Sequence, residues 1–394
     1  MQTTVLPASS QAPPRGYMPA LDGVRGAAML LVLVHHISAQ FPRPSGALLN
    51  VVKSAAFAGW TGVDFFFVLS GFLITGILLK ARSGPHYFRS FYARRTVRIF
   101  PLYYAVLILL HLLSGNGTRP YWAWYWTYST DFLFAWKGSF FVPGHFWSLA
   151  VEEHYYLVWP AVVYYLSTRA LQGVCAALIA GAFLLRLAML LAGASRIAIY
   201  VLTFCRMDAL ALGSLLALAA GNPKSWNIVV RIARIALPLT AGLCLARFSM
   251  RGQWLQYGFV AQTAGYSLTI LLYAALVVGA LASPTIGFSF TTGPLRFCGK
   301  YSYAVYVLHP FVIARLAPFF ALGNMGRRSV LISAGSAAGL SAGSFLWLDG
   351  IAAVLLFIGC SIALALLSWW LLEQPCLRLK RFFPYQGRAQ GGAA

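Results

Sequence analysis

Carboxylates are scarce in this sequence. Among 394 residues there are 8 Asp and Glu against 30 Lys and Arg, and charged residues of both signs make up only 10% of the chain. A soluble domain carries about 25% charged residues because its surface must be wetted. This composition therefore excludes a water-coated globule. Hydrophobic residues make up 60% and the mean hydropathy is +0.72, as expected of an integral membrane protein embedded in a lipid bilayer. The net charge of +22 would suit nucleic acid, but a nucleic-acid binder displays its basic residues on a soluble face. Here they separate apolar runs, and orientation in a bilayer accounts for them. No nucleic-acid partner is expected.

Paired cysteine motifs are missing too. The six cysteines, at 175, 205, 244, 298, 360 and 376, lie in or beside apolar segments, with no CxxC and no Cys/His cluster of ligand spacing. They read as small core hydrophobes, and no metal is expected. Residues 1–15 are rich in Pro, Ser and Gln with no apolar core, and no small-residue cleavage site follows the first hydrophobic run. No cleaved signal peptide is expected. Nor is there an internal repeat or a second domain.

What is present is a series of long apolar runs. A helix needs roughly 20 mainly apolar residues to cross a bilayer. About ten windows qualify, near 20–40, 59–79, 97–115, 146–167, 171–192, 201–220, 228–247, 259–282, 298–318 and 350–372. The Gly/Ser/Ala-rich stretch 329–348 is long enough to be an eleventh span or a re-entrant segment. The fold class expected is all-α, a polytopic transmembrane helical bundle of about 10 or 11 spans. With an inside N-terminus, most basic residues, including Lys80, Arg82, Arg89, Arg94, Arg95 and Arg98, fall on the cytoplasmic side. That bias puts both termini in the cytoplasm of a cell (inner) membrane protein and requires an even number of crossings, which ten satisfies. The domain plan is a disordered N-terminal tail (1–16), one transmembrane domain (17–383) and a polar, Gly-rich disordered tail (384–394). The aromatic stretch 121–136 reads as an interfacial anchor ahead of a sugar-stacking platform.

A carboxylate placed in hydrocarbon costs at least ~2.5 kcal/mol, yet Asp64, Glu152, Glu153 and Asp208 fall within the expected spans. Each must face a partner or a wet cavity, either as an ion pair locking two helices or as a functional group. The first helix carries Asp22-Gly-Val-Arg25 and then His35-His36. Arg25 and His36 are eleven positions apart, nearly the same face at ~100° per residue, and separated by ~16 Å along the axis. His35 points elsewhere. An imidazole deep in the membrane can accept a hydroxyl proton and return it. Trp147-Ser148 and Glu152-Glu153-His154 open the fourth span, where Ser148 and Glu152 share a face. At the entrance to the third, Arg94, Arg95 and Arg98 offer guanidinium forks for phosphate oxygens, or ordinary positive-inside charge. The ninth span brings Tyr303, Tyr306 and His309, and Glu373-Gln-Pro375 closes the tenth.

At these residues the sequence resembles the acyltransferase type-3 family of polytopic membrane acyltransferases. Six stretches match in the family's order: LDGVRGAAMLLVLVHH, GVDFFFVLSGFLITGILL, FYARRTVRIFPLYY, FWSLAVEEHYYL, GKYSYAVYVLHP and LLEQP. They cover roughly 17–376. The resemblance implies an acyltransferase, moving an acyl group, commonly acetyl from acetyl-CoA, onto a hydroxyl of a carbohydrate, glycolipid or small hydroxylated acceptor. It places the family's arginine and essential histidine on Arg25 and His36, its arginine motif on Arg94, Arg95 and Arg98, and its Trp-Ser and paired acids on Trp147, Ser148, Glu152 and Glu153. Two departures are visible. His154 stands where Gln is more usual, and no soluble esterase-like domain follows, which suggests the stand-alone form.

The expected mechanism holds CoA phosphates at Arg94, Arg95 and Arg98 and directs the thioester past Arg25 toward His36. His36 is the general base or an acyl relay, oriented by Glu152, Glu153 or Asp22 as a carboxylate orients the histidine of a Ser-His-Asp triad. Ser70, Ser148 or an arginine would donate to the oxyanion. Asp64, Trp147, Tyr303, His309 and Glu373 are further site candidates. Acceptor specificity is expected in the loops 115–145 and 319–348. The rival class is a transporter or flippase, since intramembrane His, Asp, Glu and Arg also form ion pathways. The lack of repeated halves weighs against it.

Overall fold

A computed structural model describes residues 16–41, 47–113, 119–251, 256–338 and 342–385, with the backbone alone described for 119, 251, 318–338 and 342–351. Among these residues the chain is helical and contains no strand. The helices are α1 (Pro19–Ser38), α2 (Ala47–Phe57), α3 (Gly62–Ala81), α4 (Tyr87–Leu113), α5 (Trp122–Trp126), α6 (Thr130–Lys137), α7 (Phe146–Tyr165) and α8 (Thr168–Leu191). There follow α9 (Arg196–Val201), α10 (Thr203–Ala220), α11 (Pro223–Arg251), α12 (Tyr266–Ala282), α13 (Pro284–Phe290), α14 (Gly293–Ala338), α15 (Ala342–Ser368) and α16 (Gln374–Arg378).

Eight described helical stretches are long and apolar enough to cross a membrane: Pro19–Ser38, Ala47–Ala81, Tyr87–Leu113, Thr168–Leu191, Arg196–Ala220, Pro223–Met250, Ala261–Ala282 and Ala352–Phe382. Of the expected spans, α7 and α14 are not among them. Both carry polar groups, Glu152, Glu153 and His154 on α7 and the buried His309 and exposed Lys300 on α14, and those groups lower the average hydropathy. α4 begins ten residues before the expected span at 97, because its arginine-bearing first turns extend beyond the apolar run. The stretch 319–348, expected as a loop, is helical at 319–338 and 342–348, the end of α14 and the start of α15. The 115–145 connection holds the short helices α5 and α6.

Small residues let the helices approach closely, which is how helices associate where lipid tails are as apolar as leucine. A Cβ added at Gly26 would lie 2.0 Å from the Leu295 carbonyl oxygen, and one at Gly299 would lie 1.8 Å from that of Asp22. α1 and α14 are thus in backbone contact, which seats His36 beside His309 of α14 and puts Arg25 in one cavity lining with Tyr303 and Tyr306. α3 and α10 meet in the same way: Cβ atoms at Gly71 and Gly213 would lie 2.0 Å from the Leu210 and Val68 carbonyl oxygens. Substituting Gly213→Ala must separate two backbones, so we expect a loss of about 1–3 kcal/mol, read as earlier thermal unfolding in detergent. Gly181→Ala, with open space around its Cβ, serves as the control and should be neutral or gain a few tenths of a kcal/mol, in line with helix propensity.

Two buried ion pairs tie the central helices. Arg206 on α10 pairs with Asp64 on α3, both buried. Arg186 on α8 donates to Asp208 at 2.7 Å, to the Cys205 carbonyl at 2.6 Å and to Ser267 at 3.2 Å. The break between α9 and α10 is capped from a distance. Asp131 of α6 accepts from the Thr203 backbone N–H at 3.3 Å and its hydroxyl at 2.6 Å, a carboxylate at a helix N-terminus where the dipole favours it. Burial pushes the Asp131 carboxyl up, and the Thr203 hydrogen bonds oppose that.

Candidate active site

A cavity of about 450 Å³ opens between α1, α3, α4, α7, α14 and the segment after α16. Each helix contributes one stripe. From α7 come Ser148, Leu149, Glu152, Glu153 and Tyr156, and from α3 Phe66, Phe67, Ser70, Leu73, Ile74 and Ile77, the repeats expected of one helical face. α4 supplies Arg94, Arg95 and Arg98, α1 supplies Arg25, and α14 supplies Ser302, Tyr303 and Tyr306. Lys380 and Tyr385 complete the wall. The lining holds five cations, Arg25, Arg94, Arg95, Arg98 and Lys380, against two carboxylates, Glu152 and Glu153. That surplus gives the cavity wall a net positive charge.

The polar groups are held by specific partners. Arg25 donates to Asp22 at 3.1 Å, and Asp22 also accepts from the Tyr17 hydroxyl at 2.5 Å. Glu152 accepts from Ser70, whose hydroxyl accepts from Tyr156 at 3.3 Å. Arg95 lies over the Tyr156 ring at 5.2 Å. Tyr303 donates to the Ile99 carbonyl at 2.5 Å, fastening α14 to α4. Arg94 donates to the Lys380 and Phe383 carbonyls at 3.3 and 3.2 Å and lies over the Tyr385 ring at 5.2 Å, while Ser90 donates to the Pro384 carbonyl at 2.7 Å. Residues 384 and 385, assigned to a disordered tail on composition, are therefore bound to α4, and Tyr385 lines the cavity; 386–394 lie outside the described residues. Burial raises the Tyr385 pKa, so the ring stays a neutral phenol.

At its inner end the cavity is closed by Ser148 and Tyr306, whose hydroxyls hydrogen-bond to each other and lie 3.1 and 3.2 Å from the His145 carbonyl oxygen; each has one hydrogen, so one hydroxyl donates to the other and the second to that oxygen. Beyond them lie three imidazoles. The His145 and His309 rings are 5.6 Å apart and the His309 and His36 rings 4.9 Å apart. His36 is half-buried and is not part of the cavity lining. It is linked to the cavity wall through Tyr306, whose ring is 5.9 Å from that of His309, and through His309 in turn. His35 points aside and bonds the Phe57 carbonyl at 2.7 Å.

Of the residues singled out from the sequence, Arg25, Ser70, Arg94, Arg95, Arg98, Ser148, Glu152, Glu153 and Tyr303 meet in the cavity wall. Asp22 stands behind Arg25, and His309 stands against His36. Asp64 is bound to Arg206, and Trp147 packs on Tyr200 at 4.8 Å, in the neighbouring core. Glu373 accepts from Ser368 at 3.1 Å in the turn that ends the last long helix. No described carboxylate bonds His36: Glu152 is engaged by Ser70 and Asp22 by Arg25 and Tyr17. His154, in place of the more usual Gln, bonds the Thr203 hydroxyl at 2.8 Å. Tyr156 escaped the sequence reading although it continues the Ser148–Glu152 face by one more turn. Lys380 was hidden among the basic residues that follow a span.

The fold and site define a polytopic helical membrane protein with a cavity whose lining joins apolar side chains to a cluster of cationic ones. The chain belongs to the acyltransferase type-3 family, whose profile, described as an acyltransferase domain, matches residues 18–373. It is 28% identical over 333 residues to the Bacillus subtilis (strain 168) protein YrhL, provisionally named a peptidoglycan O-acetyltransferase, covering 78% of this chain and 50% of that protein. It is 24% identical over 331 residues to the Listeria monocytogenes peptidoglycan O-acetyltransferase OatA, covering 77% and 50%. The chain spans about half the length of the curated relatives it matches. No solved structure matches it.

Proposed function

We propose that this protein is a membrane O-acetyltransferase that takes an acetyl group from acetyl-CoA and places it on a hydroxyl of a cell-surface carbohydrate, with peptidoglycan as the leading acceptor class. The names of YrhL and OatA suggest that acceptor. The observation that carries the reading is the line of groups running from the cation-rich cavity through the Ser148–Tyr306 bond to His309 and His36. A cavity of about 450 Å³ suits a thioester arm lined by the apolar side of α3, with the nucleotide phosphates at the arginine-rich mouth.

In the proposed reaction the acceptor oxygen attacks the thioester carbonyl as its proton passes to His36. The carbon–sulfur bond then breaks, and the imidazolium proton goes to the leaving thiolate. Ser148 and Tyr306 are the hydroxyls nearest the histidines that could donate to the developing oxyanion. An acyl-histidine relay would use the same groups. The site residues, the single domain over 17–383 and the cytoplasmic termini are part of this proposal.

The test is incubation of the purified protein in membranes with labelled acetyl-CoA. Acceptor-dependent release of CoA thiol is expected; uptake of label without thiol release would favour the transporter reading. A second expectation concerns Lys380, which only the folded chain brings to the cavity. A charge-assisted contact to phosphate is worth about 1.5–3 kcal/mol, so Lys380→Ala should raise the KM for acetyl-CoA about tenfold or more with little change in kcat. An unchanged KM would remove Lys380 from the donor site.

A further inference from the structure

The three imidazoles beyond the cavity are held by backbone carbonyls, and those bonds fix where each proton sits. The Nδ1 of His309 lies 3.0 Å from the Val305 carbonyl oxygen. A carbonyl oxygen only accepts, so this nitrogen carries the hydrogen, and the Nε2 of a neutral His309 is a bare lone pair. The Nδ1 of His36 lies 3.0 Å from the Val32 carbonyl oxygen and 3.2 Å from His309 Nε2. Both partners are acceptors. The one neutral arrangement that avoids opposed lone pairs puts the hydrogen on His36 Nδ1, shared between the Val32 oxygen and His309 Nε2. The other nitrogen of His36, Nε2, is then deprotonated.

We infer that His309 is a positioning residue that holds His36 in the Nδ1–H tautomer and so presents Nε2 as the proton acceptor. This rests on the reading of His36 as the general base. It assigns to a neutral histidine the task that a carboxylate performs in a Ser-His-Asp triad, orienting the ring through its Nδ1–H. Of the groups packed around the pair, His35 is engaged by the Phe57 carbonyl, and His145 donates from Nε2 to the Val307 carbonyl at 3.1 Å, which fixes its tautomer in turn. No described carboxylate hydrogen-bonds to His36 or His309. An uncharged partner suits this place. A carboxylate beside an imidazole deep in the protein would favour the imidazolium, whereas a base must start neutral.

The experiment is ¹⁵N NMR of the histidine-labelled full chain in nanodiscs at pH 8, with the His36 signals assigned by their loss in His36→Ala, alongside steady-state kinetics. The wild type should show His36 as the Nδ1–H tautomer. His309→Leu, which keeps bulk and removes the acceptor, should give mixed tautomers and lower kcat by roughly 10²-fold or more, with the KM for acetyl-CoA little changed. His309→Gln, whose amide N–H can reach the Val305 carbonyl while its oxygen faces His36, should restore the tautomer and much of the rate.

An Nε2–H tautomer in the wild type overturns the inference. So does an Nδ1–H tautomer that persists in His309→Leu, since the Val32 carbonyl alone would then suffice. If His309→Leu fails to fold, His309→Phe, which also removes the acceptor, takes its place and is read by the same outcomes. Full transfer by His36→Ala, with the wild type showing the expected tautomer, would instead overturn the proposed function and leave the hydrogen-bond assignment standing.

Discussion

Replacing His36 with alanine is expected to lower acyl transfer by at least about 10²–10⁴-fold, the usual contribution of a general acid–base group, and to abolish it if the imidazole carries the acyl group. The ring sits in the last turn of α1 and is half-buried. Its loss removes one shared hydrogen bond to His309 and no ion pair. Protein level and thermal unfolding should therefore stay close to wild type. The measurement is CoA-thiol release per mole of folded protein, with surface-glycan mass spectrometry in cells as the second readout. Persisting transfer at the wild-type rate would refute the assignment.

The second large effect concerns stability. Asp64→Asn leaves the Arg206 guanidinium buried without its counter-ion, and breaking such a pair costs about 3–5 kcal/mol. Among the described residues, Asp64 Oδ2 and Arg206 Nε and Nη1 have no hydrogen-bond partner. Part of the cation's stabilisation comes instead from the Tyr266 ring 4.4 Å away. Replacing both partners, Asp64→Leu with Arg206→Met, should accordingly recover most of the loss or exceed the wild type, as found where apolar side chains fill the volume of a buried pair. Unfolding midpoints of the wild type and the two variants in detergent decide this. A single variant that lost activity at unchanged stability would return Asp64 to the catalytic machinery.

The residues that build the cavity were legible in the sequence where one helix carries them. Ser148 and Glu152 are four apart on α7, and Arg94 and Arg98 four apart on α4, so helical periodicity alone puts each pair on one face. Arg25 and His36 share a face on α1 for the same reason. They do not share a cavity wall: ~16 Å of helix axis lies between them, and of the two only Arg25 lines the cavity. Asp64 shows the limit from the other side. An intramembrane carboxylate announces that it has a partner but not which one, and the choice between a salt bridge and a catalytic role was open until α10 was placed against α3.

Composition and period are local properties, so the sequence by itself determined the membrane class, the helices and the polar faces they turn inward. Tertiary structure alone decided which faces meet. It set α1 on α14 through Gly26 and Gly299, so that His36 found a histidine where a carboxylate was expected. It also folded the chain after α16 onto α4, adding Lys380 and Tyr385 to the arginine cluster. These contacts join residues far apart in the chain, and they form only where close packing of small residues and satisfaction of buried polar groups select one arrangement of helices.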